Sequence, residues 1–185
     1  MKFAMKTEIE KNPTPPTSNI ETLITSTALM FHNLRIAMDT VDWNAEICKT
    51  PAWRYIYHTL HSADKWFINP NTRFDEPEPP FHTAGLDYPD NPSDTVLDRD
   101  TLYAYYEQVR YKILSYLNNL NDSQINERPQ GCTLTRLGLA LSQFRHMYAH
   151  IGILNGVTIS NTNRYPHVIN EGQWRAGVLS GLFDK

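Results

Sequence analysis

Four histidines in two short segments have the spacing of metal ligands. The segment "YHTLHSADKWF", residues 57–67, contains His58 and His61, and "FRHMYAHIGILNG", residues 144–156, contains His146 and His150. Residues four apart face the same side of a helix, so two such imidazoles can bind one ion. A third histidine would complete a three-ligand site with a coordination position open for water or substrate. The spacing therefore favours a metal site built on His146 and His150.

The third ligand is His58 or His61, and helical periodicity alone does not choose between them. Asp64 lies three residues after His61 on the same helical face, where a carboxylate can orient an imidazole. This favours His61 as the ligand. His58, Asp64 and Arg145 are then candidates for orienting a ligand or contacting substrate, with a surface ion pair as the alternative for Asp64 and Arg145.

All of these histidines have an ordinary alternative as surface or core residues with hydrogen-bond partners. Seven histidines in 185 residues give a pair four apart by accident about one time in five. The remaining histidines have no comparable neighbour and are interpreted as ordinary: His32, His82 and His167.

Other metal and catalytic motifs are absent from the sequence. Met147 follows His146, so there is no HExxH glutamate to act as a metalloprotease base. No ExxH, glycine-rich phosphate loop or GxSxG segment occurs. An all-histidine ligand set suits zinc, nickel, copper or iron(II).

Composition excludes several classes of function. Lys plus Arg number 17 against 20 for Asp plus Glu, a net charge of −3, which argues against a nucleic-acid partner. The two cysteines form no CxxC pair, and no signal peptide or bilayer-length apolar run is evident. We expect a cytoplasmic protein with no membrane partner.

Apolar periodicity predicts an all-α protein. We expect a flexible proline-rich arm at 1–17 and one domain over 18–185, with helices near 19–42, 51–68, 98–120 and 133–155. A capping box at Ser18 begins the first helix, Thr50 before Pro51 is expected to cap the second, and the third is expected to begin near Asp98.

Each helix has an apolar stripe that is expected to face the core. On the first helix it is Ile20, Ile24, Phe31, Leu34, Met38 and Val41; on the second, Trp53, Ile56, Leu60, Ala63 and Phe67; on the third, Leu102, Tyr106, Val109, Ile113, Leu117 and Leu120; and on the fourth, Leu134, Leu137, Leu141, Phe144, Tyr148 and Ile151. His146 and His150 point well away from the fourth stripe, and further apolar residues around them predict a half-buried pocket. These four helices predict a four-helix bundle.

Residues 70–97 are rich in proline and aspartate but also contain Phe74, Phe81, Leu86 and Tyr88. We expect one long ordered loop between the second and third helices. It starts only about 12 Å beyond His61, so an aromatic ring near the mouth of the metal site is expected, with coverage of the apolar seam or of a dimer partner as the alternative. The tail segment "VLSGLF" is expected to dock as a short helix.

Three segments resemble the DinB/YfiT-like family of metal-dependent enzymes. "TPAWRYIYHTLHSADKWF" resembles the family's second helix, where "HSAD" corresponds to a ligand at His61 with His58 as competitor; "RHMYAHIGILNG" resembles the fourth-helix signature, matching His146 and His150. "LDRDTLYAYYEQVRYKILSYLNNLNDSQI" resembles the third helix and its exit, and the resemblance covers roughly residues 18–157. It implies an up-down-down-up four-helix bundle with a three-histidine site, and frequent homodimers.

The resemblance also implies a class of reaction. Characterised relatives include transferases and isomerases that use low-molecular-weight thiols, so we expect a thiol-dependent S-transferase with zinc or nickel, or iron, as its divalent ion. The sequence supplies no evident companion base, which suits metal-activated thiol chemistry better than hydrolysis. The alternatives are a metal-dependent hydrolase and a non-catalytic metal-binding, dimer-forming stress protein.

Overall fold

The structure, a computed structural model, describes residues 18–71, 76–179 and 181–184. It is mostly helical with little strand, as predicted. The elements in chain order are α1 Asn19–Thr40, β1 Glu46–Ile47, β2 Thr50–Pro51, α2 Ala52–Trp66, α3 Arg99–Asn118, a 3₁₀ turn Gln124–Asn126, α4 Arg136–Thr162 and α5 Glu171–Arg175. The predicted proline-rich arm lies outside the described residues.

The starts of two helices follow the predicted caps. The Ser18 hydroxyl accepts from the Glu21 amide while the Glu21 carboxylate accepts from the Ser18 amide, a capping box that begins α1. Asp98 caps α3 by accepting from the Thr101 amide at 2.8 Å. In each case a side-chain oxygen satisfies a backbone donor that the first helical turn leaves unpaired.

The start of α2 differs from the prediction because Thr50 is not its cap. Thr50 lies in the short hairpin of β1 and β2, which pair antiparallel, and its hydroxyl donates to the Pro89 carbonyl at 2.8 Å. The helix begins at Ala52, after Pro51, without a side-chain cap. Thr50 therefore ties the entry of α2 to the following loop.

The four long helices share one core. Both α1 and α2 pack against α3 and α4. The predicted stripe of α2 is buried throughout: Trp53, Ile56, Leu60, Ala63 and Phe67. The predicted stripes of α1 and α3 are also mainly buried, with Ile24 and Leu120 partly exposed at their margins. These three helices therefore face the core as their periodicity predicted.

Helix α4 packs through a different face from the one predicted. Leu134, Leu141 and Tyr148 are exposed, whereas the buried positions are Leu139, Ala140, Gln143, Met147, Ile151, Leu154 and Thr158. The buried face is rotated toward the histidines because α4 must contact both α1 and α2. His146 and His150 lie beside this buried face and are half-buried, as expected, although the face that packs is not the predicted stripe.

Helix α4 is also longer than predicted at its C-terminal end. It continues through Gly156 to Thr162 and ends at Asn163, which adopts a left-handed conformation with φ of 55°. An exposed glycine costs a helix only about 1 kcal/mol. Burial of Thr158 in the added turns keeps this end packed against the core.

The segment from Glu76 to Leu97 is a long ordered loop, as predicted. Leu86 is completely buried. The guanidinium of Arg54, itself buried on α2, donates to the carbonyls of Asn91 at 2.5 Å, Tyr88 at 2.8 Å and Gly85 at 3.1 Å. The loop is thus fixed to α2 through its backbone. Phe74 lies outside the described residues.

The C-terminal segment differs from the predicted docking helix. The short α5 precedes "VLSGLF", and the described residues of that stretch are not helical. Trp174 of α5 packs edge-on against His32 of α1, with ring centroids 5.5 Å apart. Within the described ranges, no helix is both long enough and apolar enough to cross a bilayer.

Candidate metal centre

Three histidine side chains converge between α2 and α4. The Nε2 atom of His146 lies 3.1 Å from Nε2 of His58 and 3.1 Å from Nε2 of His150. Two nitrogens bound at about 2.0–2.1 Å to a tetrahedral zinc ion are about 3.3 Å apart. The described chain therefore already holds three imidazole nitrogens near the spacing that one divalent ion requires.

The helices determine this convergence. His146 and His150 lie one turn apart on α4, and His58 reaches them from α2, which packs directly against α4. The His58 ring is edge-on to both, with centroids 5.1 Å from His146 and 4.8 Å from His150. The Tyr55 ring, one turn before His58, lies 6.1 Å from His150. The site is thus built on two rigid elements.

The loop sets the tautomer of His58. Its Nδ1 lies 2.5 Å from the backbone carbonyl of Asp87, and because a carbonyl only accepts, Nδ1 carries the proton. In the neutral imidazole the lone pair is then on Nε2, the atom that faces His146. This is the arrangement by which an outer hydrogen bond prepares a histidine for metal binding.

Burial keeps the α4 pair in the ligand-competent form. Burial, and next to it the proximity of His58, lowers the pKa of His146. The pKa of His150 is lowered to about 4, by burial first and then by His146 and His58. Both imidazoles are therefore neutral at neutral pH, the form that binds metal. A single N–H at Nε2 of His146 cannot donate well to both His58 and His150, whereas one cation can accept a lone pair from each of the three Nε2 atoms.

His61 lies apart from this group. Its Nε2 is 2.9 Å from Oε2 of Glu78, and its ring is parallel to that of His82, with centroids 5.0 Å apart and an interplanar angle of 8°. The structure thus brings His58, rather than the expected His61, to His146 and His150.

The remaining sequence candidates also lie away from the three nitrogens. The carboxylate of Asp64 accepts from Lys112 at 2.8 Å and from the Tyr105 hydroxyl at 2.9 Å, so it does not orient His61 as expected. Arg145 is exposed on α4 and is not among the residues that line the cavity beside His58. Sequence spacing suggested that Asp64 and Arg145 orient a ligand or contact substrate, but in the fold Asp64 pairs with Lys112.

A cavity of about 280 Å³ adjoins His58 and His61. The residues that border it include His58, His61, Ser62, Trp66, Glu78 and Tyr88. Of the four loop residues named above, Tyr88 borders this cavity, whereas Leu86 lies in the core and Phe81 packs against that core. Of the three converging histidines, His58 borders the cavity, which also gives a small molecule access to the His61–Glu78 pair.

Sequence reasoning missed the loop groups that contact His58 and His61. Glu78 and His82 lie in a segment without helical periodicity, and the Asp87 contribution is a backbone carbonyl, which cannot be predicted from residue type.

Comparison of the chain with protein-family models, with curated proteins and with solved structures gives no match.

Proposed function

We propose that this protein is a metal-dependent enzyme whose divalent ion binds to Nε2 of His58, His146 and His150. The observation that carries the proposal is the 3.1 Å spacing of His146 Nε2 from both of the other nitrogens. It is supported by the Asp87 carbonyl, which leaves Nε2 of His58 unprotonated. Zinc or nickel suits three neutral imidazoles, and iron(II) is a further candidate.

The reaction proposed is transfer of a thiol sulfur to an electrophile. A divalent ion in this position lowers the pKa of a bound thiol and so supplies thiolate at neutral pH. The chain's own part is to hold the co-substrate: Trp66 and Tyr88 border the cavity beside His58. In the net reaction a carbon–sulfur bond forms, the leaving group departs from carbon, and the thiol proton passes to water or to a cavity base.

Hydrolysis is a second candidate because the structure contains a base that the sequence did not reveal. His61 borders the same cavity as His58, and its Nε2–H donates to the carboxylate of Glu78 at 2.9 Å. Burial lowers the pKa of His61 against the opposing effect of Glu78. A neutral histidine oriented by a carboxylate is suited to accept a proton from water.

The proposal extends to the family and assembly. Supporting the DinB/YfiT-like arrangement are four long helices with a histidine pair on the fourth and a third histidine on the second. Supporting a homodimer are the exposed apolar residues Leu141 and Tyr148 of α4, together with Leu134 just before the helix. A cytoplasmic location and a small-molecule thiol partner belong to the same proposal.

The test uses protein freed of metal by a chelator and reloaded with zinc or nickel. Cysteine and other small thiols are assayed against chlorodinitrobenzene, and nitrophenyl acetate is assayed without thiol. A rate that needs both metal and thiol supports transfer, and a rate with metal alone supports hydrolysis. Metal bound without either rate identifies the non-catalytic binding protein. His150→Ala should abolish the metal-dependent rate, whereas the matched control His167→Ala, outside the site, should not.

A further inference from the structure

We propose a second metal site formed by His61, Glu78 and His82. Each residue offers one ligand atom, and these three atoms lie within 4.8 Å of one another. Two histidines with one carboxylate are a ligand set that binds zinc or iron(II) and leaves positions open for further ligands. The site lies on α2 and the ordered loop, and it uses none of the ligands of the first site.

The surroundings prepare two of these ligands. Nδ1 of His82 lies 2.5 Å from the Tyr57 hydroxyl, and in the tautomer whose Nδ1–H donates to that oxygen, Nε2 of His82 carries the lone pair that binds an ion. The side chain of His61 is nearly buried, and Glu78 approaches it at the cavity wall. An outer hydrogen bond that engages one ring nitrogen and leaves the other is characteristic of metal-binding histidines. The cavity provides the path by which an ion enters.

Two features make this site weaker than the first. Lys65 Nζ lies 3.4 Å from Oε2 of Glu78, so its ammonium competes with an ion for that carboxylate. Lys65 also donates to the carbonyls of Glu76 and Pro77, which remain its partners when Glu78 turns to a metal. The parallel rings of His61 and His82 require one ring to turn about its Cβ–Cγ bond, a torsion with a broad energy minimum.

The two sites would border one cavity. His58 and His61 both line it, so a small molecule between them can contact the first ion at one end and the second at the other. A second positive centre favours a ligand with an anionic group, such as a carboxylate, at that end. This consequence rests on the proposed function, whereas the second site itself does not.

Zinc titration of chelator-treated protein, followed by calorimetry and by the metal content after gel filtration, tests the proposal. We expect two equivalents in the wild type, bound in a tight and a weaker step. His82→Ala should lose the weaker step and keep the tight one, His150→Ala should lose the tight step and keep the weaker one, and the control His167→Ala should keep both. One equivalent in the wild type that His82→Ala retains would overturn the second site alone.

The other outcomes are also decisive. No zinc in the wild type would overturn both sites, and equal binding by His150→Ala and wild type would overturn the first. Glu78→Gln, which keeps the side-chain shape but removes the charge, should lose the weaker step as His82→Ala does. Helical circular dichroism equal to that of the wild type excludes misfolding as the cause. If His82→Ala and Glu78→Gln both still bind two equivalents of zinc, His82 and Glu78 are not ligands of the second ion.

Discussion

The Asp87 carbonyl lies 2.5 Å from Nδ1 of His58, and this contact couples the loop to the candidate metal centre. Asp87 falls between Gly85 and Tyr88, whose carbonyls are both bound by Arg54. Arg54 and His58 are one turn apart on α2. One face of α2 therefore carries the His58 imidazole and also, through Arg54, fixes the part of the loop whose Asp87 carbonyl orients that imidazole.

Replacement of Arg54 should weaken metal binding without removing any ligand. Arg54→Gln cannot bond to three carbonyls, so the Asp87 carbonyl loses its fixed position and His58 its preferred tautomer. Changes to groups that orient metal-bound histidines cost about 10–100-fold in affinity. Zinc affinity measured against a competing chelator checks this result. The exposed Arg145→Gln is the matched control, and equal affinities for the two variants would contradict the role of Arg54.

The two histidines of α2 should behave differently when each is replaced by alanine. His58→Ala should lose the tight step of zinc binding because it removes one of three converging nitrogens. His61→Ala should retain it, since the nearest partner of that ring is Glu78. Metal analysis of both variants after dialysis measures the difference. Loss of the tight step in His61→Ala but not in His58→Ala would restore the ligand favoured by the sequence.

The metal-free protein should lose stability in mild acid. The pKa of His150 is lowered from 6.5 to about 4 by burial and by its histidine neighbours. Between these values the unfolded chain binds a proton that the folded chain does not, so the free energy of unfolding falls as the pH falls. His150 is only half-buried, and we expect an effect on the order of 1–2 kcal/mol.

Urea unfolding at pH 7 and at pH 4.5 measures this effect. His150→Gln lacks the titrating group and should show a smaller loss of stability between the two pH values. An identical pH dependence in the variant and the wild type would mean that other groups cause the acid sensitivity.

A pair of α4 variants tests which face of that helix is inside. Met147 is completely buried, whereas Leu141 is 45% exposed. Met147→Ala should cost about 2–5 kcal/mol of unfolding free energy because it leaves a cavity. Leu141→Ala should change it by less than about 0.5 kcal/mol in the monomer. The reverse order in chemical denaturation would favour the face that periodicity predicted.

Helix α2 shows what could be predicted from the sequence and α4 shows what could not. Along α2 the apolar positions Trp53, Ile56, Leu60, Ala63 and Phe67 recur every three or four residues, so the sequence indicates which face of the helix packs against the core. Along α4, Leu137 and Leu141 compete with Leu139 and Met147 on other faces, and hydropathy does not rank them. Contact with both α1 and α2 decided the orientation.

The candidate metal ligands show the same limit. His146 and His150 were found because a four-residue spacing is a local signal. The choice of His61 depended on Asp64, also a local signal, but Asp64 pairs with Lys112 across the fold. The groups that distinguish His58 from His61 are the Asp87 carbonyl and Glu78, which come from a loop without periodicity. Long-range contacts of this kind leave no pattern near the ligand in sequence.

Because Leu86 is completely buried, the loop over Glu76–Leu97 is a fixed boundary of the cavity and not a lid that opens and closes over it. Moving the loop away would expose the Leu86 side chain and break the three hydrogen bonds to Arg54, at a cost of several kcal/mol. Amide hydrogens around Leu86 should therefore exchange with solvent only in rare, nearly global openings. Small molecules would then reach His58 and His61 through the permanently open mouth of the cavity. The rate would be set by diffusion and by how well the molecule fits the cavity, and not by loop motion.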